Sequence, residues 1–216
     1  MRTRGELLEG GGYGHMSRSP LLPKHFCAQT LLKMLSSFVR TRSFDLLPDE
    51  LLHLILAHQL FVDYDMFSHR SPAQLLARRD EATSLPLVCR RWRRVVVPII
   101  YETVILTSES EANALVSTML EHVGPYIKKL RIEGGYGWPI HTILSNIPKL
   151  AFISVSLDIP SENKADGLCS GLKLVNPKHL ILHDSDILSN QEVSNVVDVL
   201  IECMTSVWSN LVGVPL

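Results

Sequence analysis

The sequence predicts an α+β or α/β protein in which a small helical module precedes a short right-handed array of alternating strands and helices. Two helix patterns lie within residues 44–100. Apolar stretches typical of strands then recur every 23 to 27 residues, with helix patterns between them. The composition is that of a folded chain, because 46% of the 216 residues are hydrophobic and 20% are charged.

Residues 1–43 are predicted to form a disordered basic extension. A glycine-rich run at residues 9–14 and the Ser/Pro/Arg stretch after it offer little apolar surface to bury. Residues 28–40 have the apolar spacing of an amphipathic helix, and such an Arg/Ser-rich start is similar to a mitochondrial transit peptide. Glu6 and Glu9 argue against that interpretation. A flexible extension is therefore the favoured reading.

Charge and cysteine usage exclude several classes of partner. The net charge of -1 creates no overall field that would attract nucleic acid or an anionic membrane. No apolar run approaches the roughly 20 residues that cross a bilayer, and the first residues lack the apolar core of a secretory signal. Because the four cysteines have no metal-ligand spacing, we expect buried, inert thiols and a reducing cytoplasmic or nuclear compartment. They are Cys27, Cys89, Cys169 and Cys203.

The first helix of the module is predicted to begin at Pro48 and to end near Leu60. Proline suits the first helical position because its missing N–H would have no partner there. Asp49 and Glu50 complement the positive end of the helix dipole. One face of this helix carries Leu51, Leu54, Ile55 and His58.

A polar, irregular connection over residues 61–71 and a short helix over residues 73–82 are predicted next. A second strong helix follows over residues 87–96, and Pro98 is predicted to break it. Arg90, Arg91, Arg93 and Arg94 fan around the polar faces of this helix. Its apolar stripe contains Leu85, Val88, Cys89, Trp92, Val95 and Val96.

After Pro98 the pattern becomes one of strands and helices. Strands are predicted at residues 101–106, 127–132, 152–157 and 179–183, and helices at residues 109–123, 140–147, 165–172 and 192–208. The strand centres, Val104, Leu130, Ile153 and Leu180, are separated by 26, 23 and 27 residues. Such intervals are typical of leucine-rich-type repeats, and an ordinary small α/β domain is the alternative. The predicted inward residues are Leu130, Ile132, Ile153, Val155, Leu157, Leu180 and Leu182.

The last nine residues, 208–216, resemble the start of another strand. A repeat array without a polar terminal unit exposes its core. We therefore expect residues 101–216 to be a degenerate and shortened array.

Two segments of the module carry a family resemblance. Residues 44–56 read FDLLPDELLHLIL, and residues 85–94 read LPLVCRRWRR. Together they closely resemble an F-box, and the continuation PIIYETVIL at residues 98–106 is similar to the F-box-plus-repeat proteins abundant in fungi. The link over residues 61–82 is longer than is usual in that family.

The resemblance implies docking onto the small adaptor subunit of an SCF-type cullin–RING ubiquitin ligase, with an unknown target protein held by the repeats. It implies no catalytic residue, metal or cofactor. The alternative is that Leu51, Ile55, Val88 and Trp92 simply pack on one another. Carried over by position, the docking residues are Leu47, Pro48, Leu51 and Ile55, followed by Leu87, Val88, Cys89 and Trp92.

Other candidate sites are weaker. His179 and His183 lack a third metal ligand nearby, and the glycines of residues 134–137 fit a turn better than a phosphate loop. The Arg90–Arg94 cluster is expected to be a solvated helix face instead of a nucleic-acid patch. A repeat scaffold outside any ligase is the second functional hypothesis. A small α/β hydrolytic enzyme is the third, with Asp158, Asp184 or Asp186 as its carboxylate.

Overall fold

The computed structural model describes residues 47–118, 120–160, 163–183 and 191–212. All of them belong to one compact unit, Leu47–Leu216. The predicted basic extension, its helix over residues 28–40 and the first residues of the predicted module lie outside this range.

The helical module, defined here as residues 47–100, begins with helix α1, Asp49–Leu60. Pro48 precedes the first helical residue instead of occupying it, and its carbonyl accepts the first helical hydrogen bond, from Leu52. Helix α1 buries Leu52 and Leu56. The predicted apolar face one position away is therefore not the face that this helix packs inward.

The connection after α1 is more ordered than predicted. It contains a short helix α2, Tyr64–Ser68, which is capped by the Asp63 carboxylate accepting from the Met66 N–H at 2.7 Å. Phe67 in α2 is fully buried. The helix predicted at residues 73–82 is confirmed as α3, Ala73–Ala82.

A 3-10 turn, Leu85–Leu87, leads into helix α4, Arg90–Ile100. The predicted end at Pro98 is wrong, because α4 continues for two residues beyond this proline. In the last turn a proline removes only one helical bond, and the Tyr101 N–H still donates to the Val97 carbonyl at 3.1 Å. Helix α4 buries Trp92, Val95 and Val96.

The sheet region, residues 103–212, contains four parallel strands that pair in chain order. They are β1, Thr103–Leu106; β2, Lys129–Ile132; β3, Phe152–Ser156; and β4, His179–His183. The register joins Val104 to Leu130, Leu130 to Ile153, and Ile153 to Leu180. The strand centres predicted from the spacing are thus confirmed as direct neighbours in the sheet.

Helices connect the strands and cover one face of the sheet. They are α5, Glu109–Thr118; α6, Leu120–Val123; α7, Trp138–Ser145; α8, Asp166–Leu172; and α9, Gln191–Glu202. A 3-10 turn, Gly124–Tyr126, follows α6. A π-helical turn, Cys203–Val207, follows α9, so the helix predicted at residues 192–208 ends its α-helical part at Glu202.

Six of the seven residues predicted to face the core are buried; the exception is Leu182. Its side chain is 38% exposed because β4 forms the edge of the described sheet. The last helix closes against the core through Trp208, whose indole N–H donates to the Leu172 carbonyl at 3.1 Å.

A single hydrogen bond recurs at the start of each strand–helix unit. The Lys128 N–H donates to the Glu102 carbonyl at 3.0 Å, and the Ala151 N–H donates to Lys128 at 2.8 Å. The Lys178 N–H then donates to Ala151 at 2.8 Å, and the Val212 N–H donates to Lys178 at 2.9 Å. The first residue of each unit therefore donates its N–H to a carbonyl of the preceding unit. Val212 makes the equivalent hydrogen bond to Lys178, just before β4.

Candidate docking surface

Four of the apolar residues predicted to dock a partner are exposed. Leu51 and Ile55 lie one turn apart on α1, and Leu51 is 47% exposed. Leu87 ends the 3-10 turn and Val88 follows it, and Leu87 is 83% exposed. Because Leu51, Ile55 and Val88 are exposed, the alternative that they simply pack on one another and on Trp92 does not hold for these three residues.

Of the other four predicted residues, two are also exposed and two are at least partly buried. Leu47 is partly buried, and Pro48 is exposed at the start of α1. Cys89 is exposed and caps α4, its thiol accepting from the Trp92 N–H at 3.5 Å. Trp92 is only 9% exposed, so it packs beneath the surface.

The exposed residues lie on a pair of packed elements. Helices α1 and α4 contact each other, and the 3-10 turn packs against α4. Leu52 and Leu56 of α1 are buried, as is Trp92 of α4. Because a separate apolar stripe forms this internal contact, Leu51 and Ile55 are left for solvent or for another chain.

A pair of ion pairs links the start of α1 to α4. The Asp49 carboxylate accepts from the Arg91 Nε at 2.6 Å, and its second oxygen pairs with Arg94. Hydrogen bonds from Arg91 and Arg94 lower the pKa of Asp49 below its ordinary value. The sequence indicated Asp49 only as a partner of the helix dipole and Arg91 and Arg94 only as solvated charges, because contacts over 42 to 45 residues leave no local pattern.

Two further exposed apolar residues extend the surface of α1. Leu54 is 63% exposed, and Phe61, directly after the helix, is also exposed. Leu54 also lines a shallow groove between α1 and α4 together with His53 and Pro98. The signal in the sequence was that α1 is apolar on nearly every side, whereas a helix that packs only on its own core needs one apolar stripe.

A second concave site lies at the carboxyl ends of β1, β2 and β3. It is a cavity of about 660 Å³ lined by the bends that follow these strands, and Glu109, Glu133 and Asp158 bring carboxylates to it. Asp158 is thus the described member of the three predicted carboxylates, since Asp184 and Asp186 lie outside the described residues. This cavity is where the enzyme hypothesis would have to place its substrate.

The glycines of residues 134–137 form a tight bend, as predicted. Gly135 has φ +72°, and a side chain at Gly134 would come within 2.4 Å of the Thr107 carbonyl oxygen. Tyr136 is buried between them, and its hydroxyl donates to the Ser156 carbonyl at 3.1 Å. Burial raises the pKa of the Tyr136 phenol.

The two histidines of β4 have separate structural surroundings. The His179 ring stacks on Phe152 with 4.4 Å between ring centroids. Burial lowers the pKa of His183 to about 4, and the positive charges of Arg131, Arg70 and His69 add to that shift. Within the described residues, no group of three or more His, Cys, Asp and Glu side chains is arranged to hold a metal ion.

The described cysteines differ in burial. Cys203 is buried and Cys169 partly so, as expected of structural thiols, but the expectation is wrong for the exposed Cys89. Over the described part of the chain, no helix combines the length and the apolar character that crossing a bilayer requires.

No protein-family model matches the sequence, and comparison with curated proteins and with solved structures gives no match. The surface must therefore be interpreted from its own residues.

Proposed function

We propose that this chain is a substrate-holding adaptor of an SCF-type cullin–RING ubiquitin ligase. The helical module docks onto the small adaptor subunit, and the sheet region, as a short leucine-rich-type array, holds a target protein. The observation that carries the proposal is the exposure of Leu51, Ile55, Leu87 and Val88, while the neighbouring Leu52 and Leu56 close the module internally. A monomer gains nothing from keeping large apolar groups in water.

The geometry supports a surface of the helix-in-groove type. Leu51 and Ile55 have the i, i+4 spacing by which a helix presents two anchors to one partner surface. The module needs no rearrangement to present them, because the Asp49 ion pairs and the buried Trp92 hold α1 and α4 together. In this proposal Trp92 positions Val88 and Cys89 from below, and the exposed residues make the contact.

The recurring hydrogen bond supports the repeat half of the proposal. Four successive units begin in the same way, from Lys128 to Val212, although their spacing varies. Stacked units of this kind share one continuous core, and the described core runs from Leu106 to Trp208.

The proposed mechanism is proximity and requires no chemistry from this chain. The ligase carries the reactive ubiquitin, and the repeats keep the target beside it. Holding two reactants on one assembly raises their effective concentration, and the rate gain originates there. We therefore propose that the chain is not an enzyme and acts in the cytoplasm, the nucleus or both.

The test is binding of the full chain to the purified adaptor subunit, measured by surface plasmon resonance. The variant Ile55→Asp/Leu87→Asp places charges on the proposed surface and should weaken binding at least ~100-fold, since two anchors of roughly 2 kcal/mol each are lost. The matched control is Ile201→Asp/Leu174→Asp. It changes the same residue types at positions that are also exposed, but in the sheet region.

Equal loss of binding in both variants would contradict the proposal. So would a wild-type chain that is folded but does not bind. In the second case the repeat scaffold outside a ligase becomes the better hypothesis, because the continuous core of the sheet region does not depend on adaptor docking.

A further inference from the structure

The second face of the sheet is occupied by the chain itself. We call residues 61–72, between α1 and α3, the strap. Phe67 of the strap is fully buried in a cluster with Ile105 of β1 and Ile181 of β4. Its ring meets Phe152 of β3 edge-on, with 6.4 Å between centroids. The strap therefore lies across strands from one side of the sheet to the other.

Two basic residues of β2 hold the strap by its backbone. The fully buried Arg131 donates to the carbonyls of Phe67 at 2.9 Å, His69 at 2.5 Å and Arg70 at 2.8 Å. Its Nε pairs with Glu133. A guanidinium is suited to this task because its donors diverge in one plane, and its charge complements the carbonyl end of α2.

Lys129, two residues earlier on the same face, makes the second attachment. Its ammonium donates to the Val62 carbonyl at 2.6 Å. It also lies 5.4 Å from the Phe61 ring centroid and 5.6 Å from that of Phe152. These contacts recognise carbonyls and rings and no particular side-chain function, so another segment of the same chemistry can make them.

The face beneath the strap also carries polar groups, and their hydrogen bonds are incompletely satisfied. Ser154 pairs in register with Arg131 on one side and Ile181 on the other, and its side chain is fully buried. Within the described residues, the Ser154 hydroxyl and the His183 Nε2 have no hydrogen-bond partner. Buried polar groups without partners destabilise the closed arrangement relative to one in which water or a ligand reaches them.

The outer side chains of the strap bury little surface. Asp63, Asp65 and His69 are exposed, and Phe67 is the strap's one fully buried side chain among the described residues. Val62 and Met66 pack beside it only partly buried, and the partly exposed Tyr64 ring lies 6.4 Å from that of Phe152. Segments with few buried apolar contacts open locally at a free energy below that of global unfolding.

We propose that this sheet face is a docking site for a short peptide segment that places an aromatic side chain on Phe152 and offers backbone carbonyls to Arg131. The strap is the internal copy of that segment and must open for a target to bind. This inference rests on the proposed function for its biological meaning, since it names the surface that holds the target. Its test involves no ligase subunit.

Opening of the strap is measured by amide hydrogen exchange on the full wild-type chain. The Phe67 N–H donates to the Asp63 carbonyl, so its protection depends on the strap. We expect the amides of Met66 and Phe67 to exchange at least ~100-fold faster than those of Ser154 and Val155 in β3, because they open without global unfolding. Equal rates would overturn the inference, since the strap would then open only with the whole fold.

Docking is measured with a fluorescent peptide that has the sequence of residues 61–72. The full-chain variant Phe67→Ala weakens the internal competitor and should bind this peptide at least ~10-fold more tightly than wild type does. A control peptide carrying Phe67→Ala should not bind. If the variant chain does not fold, Asp63→Ala replaces it, because this exposed residue caps α2 and its carboxylate attracts the Lys129 ammonium, so its loss weakens the strap without removing a buried side chain.

A folded variant that binds neither peptide overturns the docking site. That result would leave adaptor docking by the helical module untouched, because its proposed anchors, Leu51, Ile55, Leu87 and Val88, lie outside the strap and outside the sheet face.

Discussion

Helix α1 of the helical module and helix α7 of the sheet region both carry long apolar side chains, but they place them differently. Helix α7 lies between α5 and α8 and buries Ile140, Ile143 and Leu144. Helix α1 packs against α4 and buries only two of its apolar residues, leaving Leu51, Leu54 and Ile55 exposed.

The buried residues of α7 stabilise the fold of this chain, whereas the exposed residues of α1 can contact another protein. In the sheet region, removing an apolar group opens a cavity in a close-packed core. On the outer side of α1, the same change alters surface only. Stability and binding should therefore respond to different residues, and neighbouring positions of α1 should give opposite results.

The largest effect is expected from Leu52→Ala set against Leu51→Ala. Leu52 is 2% exposed, so its truncation should lower the free energy of unfolding by about 2–4 kcal/mol. Leu51→Ala should change it by less than ~0.5 kcal/mol and should weaken adaptor binding instead. Urea titration monitored by circular dichroism measures the free energy of unfolding of both variants. Similar destabilisation by the two variants would remove the distinction between the faces of α1.

A somewhat smaller loss is expected from Gly167→Ala in α8. A side chain at this position would come within 2.0 Å of the Gly137 carbonyl oxygen, at the start of α7. Because backbone must move to accept it, we expect a loss of about 2 kcal/mol in thermal or chemical unfolding. The control is Ser170→Ala, on the exposed side of the same helix. Unchanged stability of Gly167→Ala would mean that α7 and α8 are less closely packed than the structure indicates.

Acid should weaken the sheet region through His183. Its pKa falls to about 4 in the folded chain from an ordinary 6.5, so between these values the unfolded chain binds more protons. The contribution of His183 to the free energy of unfolding is present above pH 6.5 and is lost as the pH falls towards 4. After discounting for partial exposure we expect roughly 1 kcal/mol. Urea midpoints of wild type and His183→Gln at pH 7 and pH 4.5 measure it, and parallel pH dependences would refute it.

The smallest effect is expected in the helical module, from Asp49→Asn. The pKa of Asp49 is lowered by Arg91 and Arg94, so its contribution is present above the unfolded value near 3.8 and is lost as the pH falls below it. We expect a slightly lower melting temperature at pH 7 in low salt, and no difference in high salt because exposed charges are screened. Glu50→Gln, at the next position, is the control. A salt-independent decrease would point to lost packing instead of lost charge.

The sequence predicted the sheet well because its signal is periodic. The strand centres Val104, Leu130, Ile153 and Leu180 became in-register partners, and the limits of α3 were predicted to the residue. Strands that follow one another at nearly equal intervals and pair in chain order place equivalent residues side by side, so the spacing carries the register.

The inward face of α1 and the burial of the strap were harder to predict, for two physical reasons. Helix α1 is apolar nearly all round, and periodicity could not decide whether Leu51 or Leu52 faces inward. The strap was predicted as an irregular polar link, because the burial of Phe67 depends on Arg131 and on strands far along the chain. Such contacts have no local signature.

The ribosome synthesises the strap before Arg131, the residue that binds its backbone. Arg131 follows the carbonyls that it binds by 61 to 64 residues. At a translation rate of about 5–20 residues per second, the strap waits roughly 3 to 12 s for β2 to be made. During that interval α1 and the strap can contact other molecules at the ribosome before the strap packs on the sheet.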